Sequence, residues 1–256
     1  MNTRLIFILP NLFTATSLFL GVVSIFSSAN GHFYKAVMLI TASLIFDGMD
    51  GRVARLTNTT SKFGVEFDSL ADLVAFGVAP AALFYFALYG TANPEIVEFA
   101  RFGVALAAIF VVFGAVRLAR FNVTTGSYEP NVFIGLPIPA AAITLSFWVI
   151  FSVKYSLNSA WFLVVLILAL SVLMISNVRF PSFKKIDFNR STQIKGLTLL
   201  IAAVALIYFK PIEFITAAFS VYVLYGVVRG VYNLFFARKI KYKNLIKNRK
   251  ERDGNG

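Results

Sequence analysis

Four aspartates, Asp47, Asp50, Asp68 and Asp72, fall within 26 residues of a chain that has only twelve acidic residues among 256. Asp47 and Asp50 are three apart, Asp68 and Asp72 four apart, and either spacing sets a pair on one face of a helix. A short polar stretch, about 51–63, separates the pairs. The flanking helices are therefore expected to be antiparallel neighbours whose carboxylates converge. Two carboxylates about 5 Å apart repel by roughly 3 kcal/mol at an effective dielectric of 20. Four of them require a counter-charge. Oxygen-only ligands suit a hard divalent cation such as magnesium, manganese or calcium.

The surrounding residues narrow the chemistry. Gly48, Gly51 and Gly64 remove side chains beside the carboxylates, and Ala54 is nearly as small. Such residues let a bulky ligand approach the backbone. Arg55 adds a planar fork that matches a phosphate. Carboxylates, a metal, an arginine and open backbone together read as a diphosphate site. The plainer alternative is that the aspartates cap helices and pair with Arg52, Arg55 and Lys62. The cost of clustering charge among apolar helices weighs against it.

The elements that position this cluster are apolar. The chain is 58% hydrophobic and 14% charged, more greasy than a soluble domain of this length needs. Eight segments approach the ~20 residues needed to span a bilayer, near 5–28, 34–50, 69–90, 98–118, 133–153, 159–178, 196–210 and 213–235. No cleavable signal pattern is evident. With both termini on the cytoplasmic side, 20 of the 24 basic residues face inward, leaving Lys35, Arg101, Lys154 and Lys210 outside. The expected fold is an all-α polytopic membrane helix bundle of about eight transmembrane helices in the cell membrane, its aspartates opening to the cytoplasm. Residues 1–237 form the membrane domain and 238–256 a basic cytoplasmic tail. The net charge of +12 then complements an anionic leaflet, and no nucleic-acid partner is expected. Absence of Cys excludes disulfides and thiolate metal sites, and His32 alone makes no His-rich cluster. Gly226 and Gly230 form a G-x-x-x-G, read as ordinary packing.

The run D-x-x-D-G-x-x-A-R-x8-G-x3-D-x3-D is carried by Asp47, Asp50, Gly51, Ala54, Arg55, Gly64, Asp68 and Asp72. It resembles the motif of the CDP-alcohol phosphatidyltransferase family. The resemblance implies an enzyme that binds a CDP-lipid and transfers its phosphatidyl group to an alcohol, releasing CMP. Asp47, Asp50, Asp68 and Asp72 would ligate Mg2+ or Mn2+, with room for two ions, and Asp72 would also be the general base. Gly51, Arg55 and Ser61 match CDP-binding positions. Pro10-Asn11-Leu12-Phe13-Thr14 resembles the family's first-helix element, so Asn11 and Thr14 would meet the nucleotide. Arg117-Leu118-Ala119-Arg120-Phe121-Asn122 and Gly135-Leu136-Pro137-Ile138-Pro139-Ala140 resemble the members that use L-serine with CDP-diacylglycerol. Arg117, Arg120 and Asn122 would then bind the acceptor, since a guanidinium pair suits the serine carboxylate. The bilayer is the expected surrounding, and a homodimer is compatible with the family.

Other readings compete. Arg117 and Arg120 could equally receive the phosphate of glycerol-3-phosphate or an inositol phosphate, or simply obey the positive-inside rule. An intramembrane prenyltransferase needs a second Asp-rich motif, and Glu129, Asp187, Glu251 and Asp253 do not make one. A cation transporter would not require Gly51, Ala54, Arg55 or Gly64.

Overall fold

In the computed structural model, the residues described are 3–57, 59, 61–90, 94–124, 132–157, 160–181, 206, 208–230 and 232. Most of the seventh expected segment, Glu129, Asp187 and the tail 238–256 lie outside them.

Helix α1 (Thr3–Ala29) turns at Gly31 into the antiparallel α2 (Phe33–Leu56). Helix α3 (Lys62–Asp72) runs through a π-helical turn (Leu73–Val78) into α4 (Ala79–Gly90), so the three form one rod. Then come α5 (Pro94–Thr124), strand β1 (Val132–Ile134), α6 (Ile138–Lys154), α7 (Ala160–Ile175), strand β2 (Arg179–Pro181) and α8 (Pro211–Gly230). Among the described residues, four helical stretches are long and apolar enough to cross a membrane: Leu9–Ala29, Lys62–Leu88, Phe102–Thr124 and Pro211–Gly230. Ile138–Lys154 and Ala160–Ile175 are shorter apolar helices.

Helix α6 is the centre. It is apolar on every side, and twelve of its residues are buried, from Ile138 to Ser152. A helix hydrophobic all round belongs inside a bundle. Ala140, Ala141 and Ala142 allow close neighbours, while α2, α4 and α7 pack around it. Phe76, Phe84 and Phe110 fill the space between the α3–α4 rod, α5 and α6, all fully buried. Helices α1 and α2 are stitched by hydroxyls: Ser17 and Ser43 are 2.7 Å apart, and Ser24 donates to the Ala36 carbonyl at 3.0 Å. Such bonds between apolar helices contribute about 0.6 kcal/mol each, so they set the register of the pair more than its stability.

Two features differ from the sequence expectation. The connection between the aspartate pairs is short, because α2 continues to Leu56 and α3 already begins at Lys62. Both pairs therefore lie inside helices. The fifth apolar segment begins as strand rather than helix. Val132, Phe133 and Ile134 pair antiparallel with Pro181, Phe180 and Arg179, adding a two-stranded ribbon to an otherwise helical fold. Pro137 and Pro139 delay the start of α6, since proline is tolerated only in a helix's first turn. Gly226 and Gly230 serve ordinary packing, as read from the sequence, and their neighbours are Phe180 of β2 and Val178 just before it. A Cβ on Gly226 would overlap the buried Phe180 ring, and one on Gly230 would crowd Val178.

Candidate active site

The aspartates occupy facing turns of α2 and α3. Carboxylate oxygens of Asp47, Asp50 and Asp68 lie within 4.8 Å of one another, one oxygen from each. Asp72, one turn along α3, comes within hydrogen-bonding reach of Asp47. Its Oδ1 is buried and has no hydrogen-bond partner among the described residues. The π-turn begins at the next residue, Leu73. Inserting such a turn rotates the aspartate face of α3 relative to the buried face of α4, and π-turns recur at functional sites.

Helix α1 supplies the next layer. Thr14 is buried, and its hydroxyl donates to Asp50 Oδ2 at 2.6 Å, with the Pro10 carbonyl at 3.2 Å. A cleft opens from Asp50 and Asp68 toward the end of the bundle. Asn11, Thr14, Gly51, Arg55 and Ser61 all line it, together with Ala54, Thr59 and Gly64. These include every residue expected to meet a CDP-lipid. Arg55 lies exposed above Gly51, where an added Cβ would stand 4.0 Å from its guanidinium. Ser61 also caps α3, accepting from the Gly64 amide at 3.0 Å. At Gly64 an added Cβ would press on Ser61 Oγ at 3.2 Å and approach Asn11 Oδ1 at 3.5 Å, so a bare backbone keeps this corner open.

Electrostatics decides between the two sequence readings of the cluster. Among the described residues no Lys or Arg nitrogen lies within 4.0 Å of any of the four carboxylates; the ion pair found is Lys154–Glu213, at the other end of the bundle. Pairing with Arg52, Arg55 or Lys62 therefore does not account for the aspartates. The cluster has three converging carboxylate oxygens and, on Asp72, a buried fourth without a hydrogen-bond partner among the described residues. This all-oxygen donor set fits a hard divalent cation.

The α5 residues separate. Arg117 is buried, its guanidinium 5.3 Å from the Phe121 ring centroid, and its charge acts on Asp72 from outside ion-pair distance. Asn122 donates to Ser69 Oγ at 2.9 Å, tying α5 to α3 between Asp68 and Asp72. Arg120, expected beside Arg117 at an acceptor, is engaged elsewhere. It donates to the carbonyls of Ile175 (2.8 Å), Ile134 (3.0 Å), Met174 (3.1 Å) and Ser176 (3.2 Å).

Sequence reasoning missed Thr59 as a cleft residue and the Thr14–Asp50 bond. The run Thr57-Asn58-Thr59-Thr60 between two apolar helices was the available signal for the first. The second had none, because the partners are 36 residues apart.

Known proteins bear on this geometry. The family model described as CDP-alcohol phosphatidyltransferase matches residues 7–159, a stretch containing all four aspartates and Arg117. The chain is 47% identical over 230 residues to the CDP-diacylglycerol–serine O-phosphatidyltransferase of Helicobacter pylori (strain J99), covering 89% of this chain and 92% of that protein. It is 37% identical over 175 residues to the archaetidylserine synthase of Methanothermobacter thermautotrophicus, covering 68% and 69%. It is 36% identical over 193 residues to the CDP-diacylglycerol–serine O-phosphatidyltransferase of Methanocaldococcus jannaschii, covering 75% and 83%. Its aspartate cluster lies wholly inside the matched stretch, and on that match the chain belongs to the CDP-alcohol phosphatidyltransferase family.

Proposed function

We propose that the protein transfers the phosphatidyl group of CDP-diacylglycerol to the hydroxyl of L-serine, releasing CMP and forming phosphatidylserine. The observation that carries the reaction class is the carboxylate cluster without ion-pair partners, opening into a cleft lined by Arg55 and bare backbone. Serine as the acceptor rests on the names of the relatives and on Arg117, a buried cation next to Asp72 that suits a small carboxylate-bearing alcohol.

Asp47, Asp50 and Asp68, with Asp72, would hold Mg2+ or Mn2+, whose charge neutralises the diphosphate and the departing phosphate. Arg55 forks onto a phosphate oxygen. Gly51 and Gly64 admit the nucleotide against the backbone, and Asn11, Thr14 and Ser61 line its seat. Thr14 holds Asp50 in orientation through its 2.6 Å hydrogen bond. On the other side Arg117 receives the serine carboxylate and sets the hydroxyl toward Asp72. Asp72 Oδ1, buried and unpartnered, takes the hydroxyl proton. The serine oxygen forms a bond to the phosphorus that carries the lipid, and the bond from that phosphorus to CMP breaks. The inward bias of basic residues supports a cell-membrane site that faces the cytoplasm, where serine is available.

The test is CMP release by the purified full-length protein with CDP-diacylglycerol and a panel of acceptors: serine, glycerol-3-phosphate and inositol phosphate. Release that depends on serine, with phosphatidylserine as the product, is the expected result. Release dependent only on another alcohol overturns the serine assignment, and no release with any alcohol overturns the reaction.

A further inference from the structure

The ends of α7 and β1 pose a problem that Arg120 solves. Helix α7 stops at Ile175, so its last carbonyls have no partner within the helix. In an apolar surrounding such groups cost several kcal/mol each when unpaired. The Leu136 amide takes the Leu173 carbonyl at 3.0 Å. Arg120 takes those of Met174, Ile175 and Ser176 and, with the same Nη2, that of Ile134 at the end of β1. Both terminal nitrogens are thus bound to backbone, and a ligand carboxylate could reach this fork only by displacing it.

Gly135 makes the arrangement possible. It sits at φ +79°, and a Cβ there would lie 2.6 Å from Arg120 Nη2 and overlap the Met174 carbonyl. The guanidinium therefore needs both a left-handed turn and a missing side chain at 135.

Arg120 is flanked by the contacts of α5 to the aspartate site. One turn earlier on the same face is Arg117, buried and close enough to act electrostatically on Asp72 but outside ion-pair distance. Two residues later Asn122 bonds Ser69. A clamp at 120 fixes the rotation and height of the turns that carry both. Three of its four carbonyl partners lie at 174–176, beyond the stretch 7–159 matched by the family model. The clamp thereby ties the aspartate site to a part of the chain outside that stretch.

We infer that Arg120, seated on Gly135, is a positioning residue for the acceptor side: it holds Arg117 in place and does not itself bind the acceptor. The inference rests on the reading of Arg117 as the acceptor's cation. The experiment compares wild type, Arg120→Ala, Gly135→Ala and the double variant, as full-length protein, in steady-state CMP release. Each variant is first checked as a monodisperse peak by size exclusion. Gly135→Ala changes no polar group, yet it should raise the KM for serine at least fivefold and leave the KM for CDP-diacylglycerol within about twofold. The double variant should be no worse than the worse single, because both break one clamp. Arg120→Lys, which keeps the charge and reaches some of the carbonyls, should be intermediate, and it replaces Arg120→Ala if the latter does not fold. Effects that multiply, or an unchanged serine KM in Gly135→Ala beside a raised one in Arg120→Ala, overturn the inference and return Arg120 to the acceptor. If wild type ignores serine but uses another alcohol, the serine reading alone fails, and the coupling is read on the KM for that alcohol.

Discussion

Replacing Asp68 with Asn should make the metal-free protein more stable. Carboxylate oxygens of Asp47, Asp50 and Asp68 all lie within 4.8 Å of one another. At an effective dielectric of 20, each ionised pair at that distance costs about 3.5 kcal/mol. Asp68 belongs to two of the three pairs, so its charge carries about 7 kcal/mol of repulsion as an upper bound. Water in the cleft and the exposed Arg55 screen part of this. If only a quarter survives, Asp68→Asn gains about 2 kcal/mol, which for a chain of this size is roughly 4–8 °C in Tm. The amide is isosteric, so packing is conserved. Saturating Mg2+ or Mn2+ should reverse the order. Wild type gains about 2.7 kcal/mol at a hundred times its dissociation constant, while the variant loses a ligand and gains less.

The assay is thermal unfolding of purified protein in detergent with and without the cation, followed by the intrinsic fluorescence of Trp148 and Trp161. Trp148 is well placed, since its indole donates to Ser220 on α8 at 2.9 Å and reports the docking of α6 on α8. A metal-free Asp68→Asn that melts lower than wild type would refute the reasoning. The carboxylate would then be stabilised by the protein's own groups, as a helix cap or ion pair would be, and the repulsion that calls for a cation would not exist.

Thr14→Val removes the donor to Asp50 while keeping the shape, and should raise the metal concentration for half-activation by about 10–100-fold, with Thr14→Ser near wild type; an unchanged activation curve would detach Thr14 from the metal ligands. Asp72→Asn should lower kcat by about 10²–10⁴ and leave binding of CDP-diacylglycerol, measured by equilibrium dialysis, within a few-fold; near-normal turnover would remove Asp72 as the base. Full chelation with EDTA should abolish CMP release and re-addition of Mg2+ or Mn2+ restore it, whereas activity that survives chelation would sink the metal assignment.

The carboxylate cluster was legible because helical spacing alone brings Asp47 next to Asp50 and Asp68 next to Asp72, whatever the helix boundaries. Misplacing the end of α2 by six residues, at 50 instead of Leu56, did not disturb that phase. The cleft residues Gly51, Ala54 and Arg55 were legible by residue type and motif, although that stretch was read as a loop; in the structure they continue the face of α2 that carries Asp47 and Asp50. Features that depend on distant partners were not legible. Val132, Phe133 and Ile134 sit in a continuous apolar run with no period to separate strand from helix, and their partners are 179–181. The π-turn after Asp72 leaves no mark in residue type. Arg120 was read by its type, as a cation near the inner face, but its role is set by carbonyls 54 to 56 residues away and by a glycine 15 residues on.

Arg117 and Arg120 also show why charge at a membrane interface does not identify a ligand site. Both are arginines on one helix, one turn apart, and the expected topology places both on the inner side. Their surroundings differ in how many hydrogen-bond acceptors they offer. Arg120 meets carbonyl dipoles that would otherwise be unpaired, so its charge is fully used by the fold. Arg117 is buried against a phenyl face, with no carboxylate within ion-pair distance among the described residues. A buried guanidinium has five donors in a fixed fork, and an aromatic face occupies none of them. Its desolvation is costly unless an anion completes it. In the proposed reaction an incoming serine carboxylate would supply that anion and, once bound, would lie on the side of Asp72, the proposed base. Acceptor binding and base placement are then one electrostatic event, which explains why a clamp that moves Arg117 by a fraction of an ångström should act on the acceptor and spare the CDP-lipid.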